Sequence, residues 1–496
     1  MKTIKLFLFL FIIVVTVPGA LAQYKGAVAV PPIMAPGFNS IDEGDCKKWL
    51  TYLSSDELGG RKTGSDGYIK AAKFIAGKFK EFGLKPIGAN DTYFQEVTLY
   101  RMQRSGQAAS VVIGDKSWDE STGLQPRLSL GDAKASVVFI CSGSKKKKLK
   151  DPSIVKDKIV ILNASRNARL SPLFRQIREN RPKGIILRGQ TSSPLGFVRP
   201  GGLTQKWVAA VPQIGTSDSV FADILKTLKI KGNFAGKPQK NAFKVIELQT
   251  EIAVHSEVEH TTVKAPNVIG MIDGSDEKLK SEVVICGSHL DHIGTSRNGK
   301  INNGADDDGS GTTSLLAVAR AIAKNTTKPK RSIVFIAVCG EEDGLLGSEY
   351  YVENPIIPIK DTICELQMDM VGRNEEGKGD RPEKNIKTTH LVGSKKLSMD
   401  LHKMIIKMNR HIGFEFEYDE EAVYTRSDHY NFAKKGIPIA FFFSGFHPDY
   451  HRPTDTVEKI NFVKLANTAK LVYLTAYTAA DRSKRIVKDK KKKKKQ

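Results

Sequence analysis

The sequence Arg331-Ser332-Ile333-Val334-Phe335-Ile336-Ala337-Val338 leads directly into the turn Cys339-Gly340-Glu341-Glu342-Asp343-Gly344. An unbroken apolar run of this length is typical of a strand that is buried on both faces of a mainly parallel sheet. A second run, Glu282–Cys286, precedes Ser288-His289-Leu290-Asp291-His292 in the same way. Because α/β sheets bind ligands at the carboxyl ends of their strands, these two stretches favour an α/β fold with a site at that edge.

The surrounding sequence supports alternating strands and helices. Residues Gly311–Asn325 carry apolar side chains at helical spacing, including Leu315 and Ile322, and predict a connecting helix. A further strand is predicted over Ile437–Phe443, where Pro438 argues for an early or edge position. The fold class expected is therefore α/β, a mainly parallel mixed sheet flanked by helices.

Acidic and imidazole side chains recur wherever an apolar run gives way to a turn. Five segments show this pattern: Ser288–His292, Gly304-Ala305-Asp306-Asp307-Asp308-Gly309, Gly340–Gly344, Gln367-Met368-Asp369-Met370 and Asp449-Tyr450-His451-Arg452-Pro453. Nitrogen and oxygen donors of this kind suit zinc. Two divalent ions about 3.5–4 Å apart can activate one water and hold the oxygen of a scissile carbonyl. The segments together predict a two-metal hydrolase site, which needs at least one shared carboxylate.

In this order the five segments resemble the M28 family of co-catalytic zinc aminopeptidases. The resemblance continues upstream, where Tyr52–Arg61, Gly83–Pro86 and Tyr93–Gln95 are similar to the N-terminal region of exported members. It implies a zinc-exopeptidase type of fold and two Zn²⁺ ions per chain. The ligands that it implies are Asp307 as the bridge, His289 and Asp369 on one ion, and Glu342 and His451 on the other.

Residues beside the implied ligands have explanations that need no metal ion. Asp307 is preferred over Asp306 and Asp308 because the family's pattern in the Gly-Ala-Asp-Asp block puts the bridge there. Without that pattern, Asp306 and Asp308 are turn formers or a cap for the apolar run Thr312–Ala323. His292 and His429 are interpreted as packing or hydrogen-bonding residues, since a histidine beside a site residue commonly has that role.

The resemblance also assigns three catalytic roles. Glu341 would be the general base that removes a proton from the attacking water. Asp291 resembles the carboxylate that fixes the tautomer and orientation of His289. Tyr450 matches a phenol that stabilises the developing oxyanion. Asp428, in Ser427-Asp428-His429, is expected to support the site without binding metal.

A chain of 496 residues is too long for one compact core, so several domains are expected. Residues 124–249 contain short strand-like runs and one helix-like stretch, Leu173–Asn180, and resemble a protease-associated domain. This smaller β-rich α+β insertion would separate an N-terminal peptidase part, 23–123, from a catalytic part, 250–480. It would cover the active-site mouth, shape substrate access, mediate contacts, or serve as a purely structural appendage.

Both ends of the chain have distinct compositions. Residues 1–22 combine a basic start, an apolar stretch and Ala20-Leu21-Ala22, which predicts a cleaved signal peptide and a secreted or periplasmic protein. No later run is long enough to predict an integral membrane protein. Residues 481–496 carry ten basic and two acidic side chains, a tail expected to be disordered and to hold anionic surfaces weakly. The net charge of +23 comes with no nucleic-acid-binding signature.

These features predict an exported metallo-aminopeptidase that removes N-terminal residues from peptides or unfolded proteins. Three alternatives stay open at this point. A glutaminyl cyclase of the same fold would use a single zinc, and a carboxypeptidase or dipeptidase of the same family would cleave elsewhere. A binding module without catalytic activity would have lost ligands or Glu341, and all of them are present.

Overall fold

The computed structural model describes residues 23–126, 131–144, 147–164, 172–189, 197–198, 211–296, 298–377, 379, 381–418 and 420–489. The chain divides into two compact units. One consists of the chain up to Val97 and from Ala265 onward, and the other is Thr98–Lys264. Within the part of the chain described, no helix has the length and apolar character needed to cross a bilayer.

The secondary structure alternates strands and helices in both units. The α-helices are α1 Ala35–Asn39, α2 Glu43–Leu53, α3 Asp66–Glu81, α4 Pro172–Glu179, α5 Asp218–Thr227, α6 Gly311–Lys324, α7 Leu346–Glu353, α8 Ser394–Leu397, α9 Met399–Asn409, α10 His429–Lys434 and α11 Phe462–Asp481. The strands are β1 Lys85–Pro86, β2 Phe94–Gln95, β3 Thr98–Ile113, β4 Lys116–Asp119, β5 Leu124–Pro126, β6 Gly131–Ser142, β7 Ile159–Ala164, β8 Gly184–Arg188, β9 Phe197–Val198, β10 Gln213–Thr216, β11 Phe243–Lys264, β12 Asn267–Ile272, β13 Val283–His289, β14 Ser332–Val338, β15 Thr362–Met368, β16 Thr388–Val392, β17 Glu415–Glu417 and β18 Ile439–Phe443.

The first unit is built on a mixed sheet with the strand order β1-β12-β14-β13-β15-β18-β16-β17, and β2 also pairs with β12. Its centre, β14-β13-β15-β18, is parallel throughout. On one side β12 runs antiparallel to β14, and on the other β16 runs antiparallel to β18. The four central strands therefore end at one common edge of the sheet.

Both faces of this sheet are covered by helices, which is why its central strands are buried throughout. On one face Ile285 and Ile336 pack in a cluster with Tyr351 of α7 and Phe432 of α10. On the opposite face Phe335 meets Phe79 of α3 at 6.3 Å between ring centroids, and α6 and α11 contact β13. Burial of each such side chain contributes about 1.5–3 kcal/mol to folding.

The second unit contains its own sheet, in the order β4-β3-β11-β6-β7-β8-β10-β5 with β9 on β3. Its two apolar clusters lie on β6, β7 and β8 together with α4 and α5, and include Phe139 and Phe221 on one side and Val138 and Phe174 on the other. A core of its own is what an inserted domain requires.

The boundaries of the insertion differ from the predicted 124–249. The unit begins at Thr98 and ends at Lys264 because β3 pairs antiparallel with the second half of β11, with Thr98 opposite Lys264. These strands mix polar residues with short apolar stretches, so no long apolar run marks them in the sequence. The N-terminal peptidase part accordingly ends at residue 97 and not 123, and the catalytic part begins at 265 and not 250.

The predicted fold class is confirmed in outline, since the chain is a mixed α/β protein with helices on both faces of its main sheet. Parallel pairing is confined to the centre of that sheet. Pro438 precedes the first residue of β18, an early position as expected, although β18 lies between β15 and β16 and not at an edge. The signal peptide lies outside the described residues, as do residues 490–496 of the tail. The prediction of a disordered tail is wrong for 481–489, because Asp481 ends α11, Ile486 is buried and the N–H of Asp489 donates to the carbonyl of Leu397 at 2.9 Å.

Candidate metal centre

The predicted site residues meet at the edge where the parallel strands end. His289 is the last residue of β13, Glu341 and Glu342 follow β14, and Asp369 directly follows β15. Asp307 lies in the helical turn Ala305–Ser310, which leads into α6. The loop after β18 supplies Tyr450 and His451. Residues distant in sequence converge here because parallel strands bring their carboxyl ends together.

One group of candidate ligands consists of His289, Asp307 and Asp369. Nε2 of His289 lies 3.3 Å from Oδ1 of Asp307 and 3.5 Å from Oδ1 of Asp369. One ligand atom from each of the three residues lies within 4.8 Å of the others. The Nδ1 atom of His289 is 3.0 Å from the carbonyl oxygen of Asp291, which leaves Nε2 to face the two carboxylates.

A second group lies on the other oxygen of Asp307. Nε2 of His451 is 3.0 Å from Oδ2 of Asp307 and 3.0 Å from Oε2 of Glu342. Oδ1 of Asp307 therefore faces His289 while Oδ2 faces His451, as a carboxylate shared between two ions requires. The two groups together hold the five ligands that the sequence resemblance implies.

His292 is closer to this second group than the sequence indicated. Its Nδ1 atom is 2.8 Å from Oε1 of Glu342 and 3.7 Å from Oδ2 of Asp307. With those two carboxylates it also forms a group that could hold a metal ion. The hydrogen bond to Glu342 agrees with the interpretation as a hydrogen-bonding residue, but the position makes His292 a second imidazole beside the ion site. Its place two residues beyond Leu290, at the end of the His289 segment, was the only sequence signal.

The carboxylate of Asp291 accepts hydrogen bonds from groups other than the predicted partner, His289. Its carboxylate lies 3.8 Å from Nδ1 of His289, beyond hydrogen-bond distance, because the main-chain carbonyl of Asp291 accepts that bond. The carboxylate instead accepts hydrogen bonds from the main-chain N–H groups of Glu341, at 3.1 Å, and Glu342, at 3.4 Å, and from Thr63 Oγ1 at 2.9 Å. Asp291 thus holds the turn that carries the predicted base.

Glu341 and Tyr450 both line the cavity above the carboxylates. Oε2 of Glu341 is 4.0 Å from Nε2 of His289, and burial raises the pKa of Glu341 well above its ordinary value. The Tyr450 hydroxyl accepts a hydrogen bond from Nη2 of Arg426 at 3.1 Å, and its ring stacks on His451 at 3.9 Å. Asp307, Asp369 and Arg426 also line the cavity, and its apolar wall consists of Met370, Val423, Phe441, Phe443 and Phe446.

The neighbouring aspartates fix the loops around the site. Asp308 accepts hydrogen bonds from the N–H of Gly311 at 2.9 Å, which caps α6, and from the N–H groups of Met370 and His289, both at 3.1 Å. Asp306 accepts from the N–H of Gly372 at 2.7 Å. These contacts agree with their interpretation as turn and cap residues.

Residues 427–429 also keep the supporting roles expected of them. Asp428 is buried and accepts a hydrogen bond from Ser348 Oγ. Nε2 of His429 is 2.9 Å from the carbonyl of Tyr424, and its ring stacks on Phe441 at 4.6 Å. Neither residue belongs to the two groups of candidate ligands.

Sequence reasoning missed two residues that hold the Asp307 turn. The buried carboxylate of Asp455 accepts hydrogen bonds from the N–H groups of Asp306 and Asp307 at 3.0 and 3.2 Å. The buried guanidinium of Arg61 donates to the carbonyls of Leu290, at 3.0 Å, and Gly304, at 2.9 Å. Arg61 ends the upstream segment Tyr52–Arg61, and its role in holding the turn is visible only from its contacts.

The charge balance of the site favours bound cations. Burial raises the pKa values of Asp308 and Glu341 well above their ordinary range. Burial alone would also raise the pKa of Asp307, but hydrogen bonds from His289 and His451 hold it well below its ordinary value. Several carboxylates lie within a few ångströms of each other in a buried site, an arrangement that costs free energy unless positive charge compensates it. Imidazole and carboxylate donors fit Zn²⁺.

The sequence and the fold both match known proteins. Residues 267–476 match the model of peptidase family M28. A probable leucine aminopeptidase of Arthroderma benhamiae is 29% identical over 223 residues, which cover 43% of this chain and 58% of that protein. The aminopeptidase YwaD of Bacillus subtilis is 27% identical over 270 residues, covering 52% of this chain and 55% of that protein. The chain thus spans little more than half the length of these relatives.

Solved structures agree over nearly the whole chain. An aminopeptidase from Aneurinibacillus sp. strain AM-1 superimposes with a TM-score of 0.59 at 22% identity, covering 92% of this chain and 98% of that one. A zinc aminopeptidase from Bacillus subtilis gives a TM-score of 0.54 at 20% identity, covering 90% and 96%. At these identities the superpositions establish a shared fold.

Proposed function

We propose that this chain, whose residues 267–476 match the model of peptidase family M28, is an exported two-zinc aminopeptidase. The observation that carries the proposal is the position of Asp307, whose two carboxylate oxygens face two separate groups of nitrogen and oxygen donors. A single-zinc enzyme such as a glutaminyl cyclase does not need that arrangement. The signal peptide predicted over 1–22 supports export.

The residues present fit two Zn²⁺ ions. His289 and Asp369 would hold one ion and Glu342 and His451 the other, with Asp307 shared between them. His292 would then orient Glu342 through its hydrogen bond at 2.8 Å. When bound, the ions supply Lewis acidity for the scissile carbonyl and lower the pKa of the attacking water.

Glu341 is the proton carrier in the proposed mechanism. Its carboxylate takes a proton from the attacking water and later gives it to the leaving amine, as one group can do in both steps. Asp291 keeps the Glu341 turn in place through the main-chain N–H groups. The Tyr450 hydroxyl donates to the developing oxyanion, and Arg426 orients that hydroxyl.

The cavity supports cleavage after an apolar N-terminal residue. Its apolar lining residues Met370, Val423, Phe441 and Phe443 suit an aliphatic or aromatic side chain, and the carboxylates of Asp369 and Glu341, which also line it, suit a free α-ammonium group. The names of the fungal relatives, probable leucine aminopeptidases, point to the same class of residue. Peptides and unfolded proteins with such N-termini are the proposed substrates.

A panel of aminoacyl-arylamides tests the proposal directly. The purified mature chain should cleave leucine and phenylalanine derivatives, leave N-acetylated derivatives intact, and lose activity in a chelator. Metal analysis should find zinc in the active protein. Cleavage of blocked peptides at internal or C-terminal bonds, or cyclisation of N-terminal glutamine without hydrolysis, would contradict it.

Replacing Glu341 separates the base from the metal ligands. The Glu341→Ala variant should bind zinc as wild type does, because the side chain is not one of the five candidate ligands. Its kcat should fall by at least about 10²–10⁴-fold, the usual contribution of a general base. Zinc content and steady-state kinetics measure the two effects separately, and full activity in this variant would refute the assignment of the base.

A further inference from the structure

A third group of metal-competent side chains lies on β16, on β17 and in the loop after β15. His390 of β16 and Glu417 of β17 are directly opposite one another in the parallel register. Glu375 reaches them from the loop after β15, where Asn385 Nδ2 donates to its carbonyl at 3.0 Å. One ligand atom from each of the three residues lies within 4.8 Å of the others.

The distances in this group are those of atoms that share an ion. Nε2 of His390 is 3.1 Å from Oε2 of Glu375 and 3.5 Å from Oε2 of Glu417. Ligands bound to Zn²⁺ at about 2.0–2.2 Å in tetrahedral geometry lie roughly 3.3–3.5 Å apart. The first group of the active site has the same geometry, with Nε2 of His289 at 3.3 and 3.5 Å from its two carboxylates.

Two carboxylate oxygens converge on one ring nitrogen in this group. Nε2 of His390 carries at most one proton, and that proton can point at only one carboxylate. His390 is also 97% buried by side-chain area, so its surroundings fix the ring in this direction. A cation between the three atoms compensates both carboxylates at once.

We infer that Glu375, His390 and Glu417 bind a further divalent metal ion, with Zn²⁺ favoured by their one nitrogen and two oxygen donors. The Glu417 side chain is 38% exposed, so the site opens to solvent on that side and leaves room for a water ligand. Lys464 adds a positive charge near both carboxylates, and its Nζ atom donates to the carbonyl of Asn385 at 2.6 Å.

The ion would stiffen one wall of the substrate cavity. The ring of His390 packs on Phe443 at 5.6 Å between centroids, and Phe443 contacts Phe446 at 5.0 Å. Both phenylalanines line the cavity. The main-chain N–H of Glu376 also donates to the carbonyl of Phe446 at 2.9 Å. Metal binding at Glu375 and His390 would therefore restrict the movement of Phe443 and Phe446.

The number of Zn²⁺ ions bound by the full mature chain tests this site independently of peptidase activity. Wild type, Glu417→Gln and Glu375→Gln would be stripped with a chelator, reloaded with Zn²⁺, freed of excess by gel filtration, and analysed by mass spectrometry. Each variant should hold one Zn²⁺ fewer than wild type, since loss of a direct ligand should weaken binding beyond the roughly 10–100-fold typical of outer-shell partners. Glu415→Gln is the matched control, because Glu415 lies on the same strand but pairs with Lys387; it should match wild type.

Anomalous diffraction at the zinc edge gives a second readout that needs no variant. A difference peak between Glu375, His390 and Glu417 in wild-type crystals, absent in Glu417→Gln, is expected. Equal zinc content in all four proteins, or no peak at this position, would overturn the inference. A chain without aminopeptidase activity that still showed the peak would contradict the proposed function and leave this site intact.

Discussion

At the scale of single residues, the site shows how far a motif specifies chemistry. The sequence identified which side chains carry donors, and the structure brings all five candidate ligands together. It could not identify the partners of Asp291 or the proximity of His292 to Glu342, since both depend on the direction in which a side chain leaves its turn. Such directions follow from packing and from hydrogen bonds to main-chain groups of other segments, which no local pattern records.

Replacing Asp291 should affect the position of the base, Glu341, more than the binding of zinc. Its carboxylate accepts from two main-chain N–H groups, of Glu341 and Glu342, and from Thr63 Oγ1. The amide of an Asp291→Asn variant offers one oxygen fewer and leaves at least one of these donors unsatisfied, so activity should fall by roughly 10–100-fold. Kinetics and zinc content of this variant measure the effect. Asp343→Asn, in the same turn but paired with Lys62 near the surface, should behave like wild type, and equal losses in both variants would argue against the positioning role.

Asp428 should make the zinc-free protein less stable as the pH rises. Burial raises the pKa of Asp428 to about 7, whereas an unfolded aspartate titrates near 4. The folded state therefore holds a proton that the unfolded state releases, and stability falls between about pH 4 and 7. In Asp428→Asn this contribution is absent, so the decrease in Tm from pH 5 to pH 7 should be smaller than in the chelated wild type. Parallel Tm curves for the two proteins would contradict this reasoning.

At the scale of elements, the position of a strand in the sequence is easier to predict than the identity and direction of the strands that pair with it. The run Arg331–Val338 became β14 with a difference of one residue, and Gly311–Asn325 became α6, because continuous burial and helical spacing are both local properties. The antiparallel pairing of β12 with β14 and of β16 with β18 depends on how distant segments meet. A run of apolar residues does not specify the direction of the strand beside it.

The start of α7 depends on a glycine that packs against the strand before the catalytic turn. A Cβ atom at Gly347 would lie 2.4 Å from the carbonyl oxygen of Cys339 and 2.4 Å from Oδ1 of Asn267. Gly347→Ala should therefore displace α7 from the turn that carries Glu341 and destabilise the protein by about 1–3 kcal/mol. Chemical denaturation and kcat measure the two consequences.

Gly77 provides the control for that substitution. It lies within α3, and a Cβ atom there would meet nothing within 4 Å. Gly77→Ala should stabilise the protein by about 0.4–1 kcal/mol, because alanine has less conformational freedom to lose on folding. If both variants changed the free energy of unfolding alike, the close approach at Gly347 would not explain the requirement for glycine.

At the scale of the whole molecule, the inserted unit is where sequence reasoning was least accurate. The length of the chain and its short apolar runs predict an inserted unit. The predicted ends, 124 and 249, lie within the unit that the structure shows. The true ends, Thr98 and Lys264, lie at the base of the β3–β11 pair. Their mixed polar and apolar residues resemble loops in sequence and are recognisable as strands only through pairing.

The paired ends predict that the first unit folds without the second. Thr98 and Lys264 are register partners, and the N–H of Ala265 donates to the carbonyl of Val97 at 3.0 Å, so a short glycine linker can join residue 97 to 265. The variant should unfold in one cooperative transition, because the main sheet and its apolar cluster remain complete. Deleting 124–249 with the same linker should instead aggregate, since β3 and the remainder of β11 would lose β6 and expose an unpaired edge. Thermal unfolding and light scattering distinguish the two variants. If the 124–249 deletion were soluble and unfolded cooperatively while the 98–264 deletion was insoluble, Thr98 and Lys264 would not be the ends of the inserted unit.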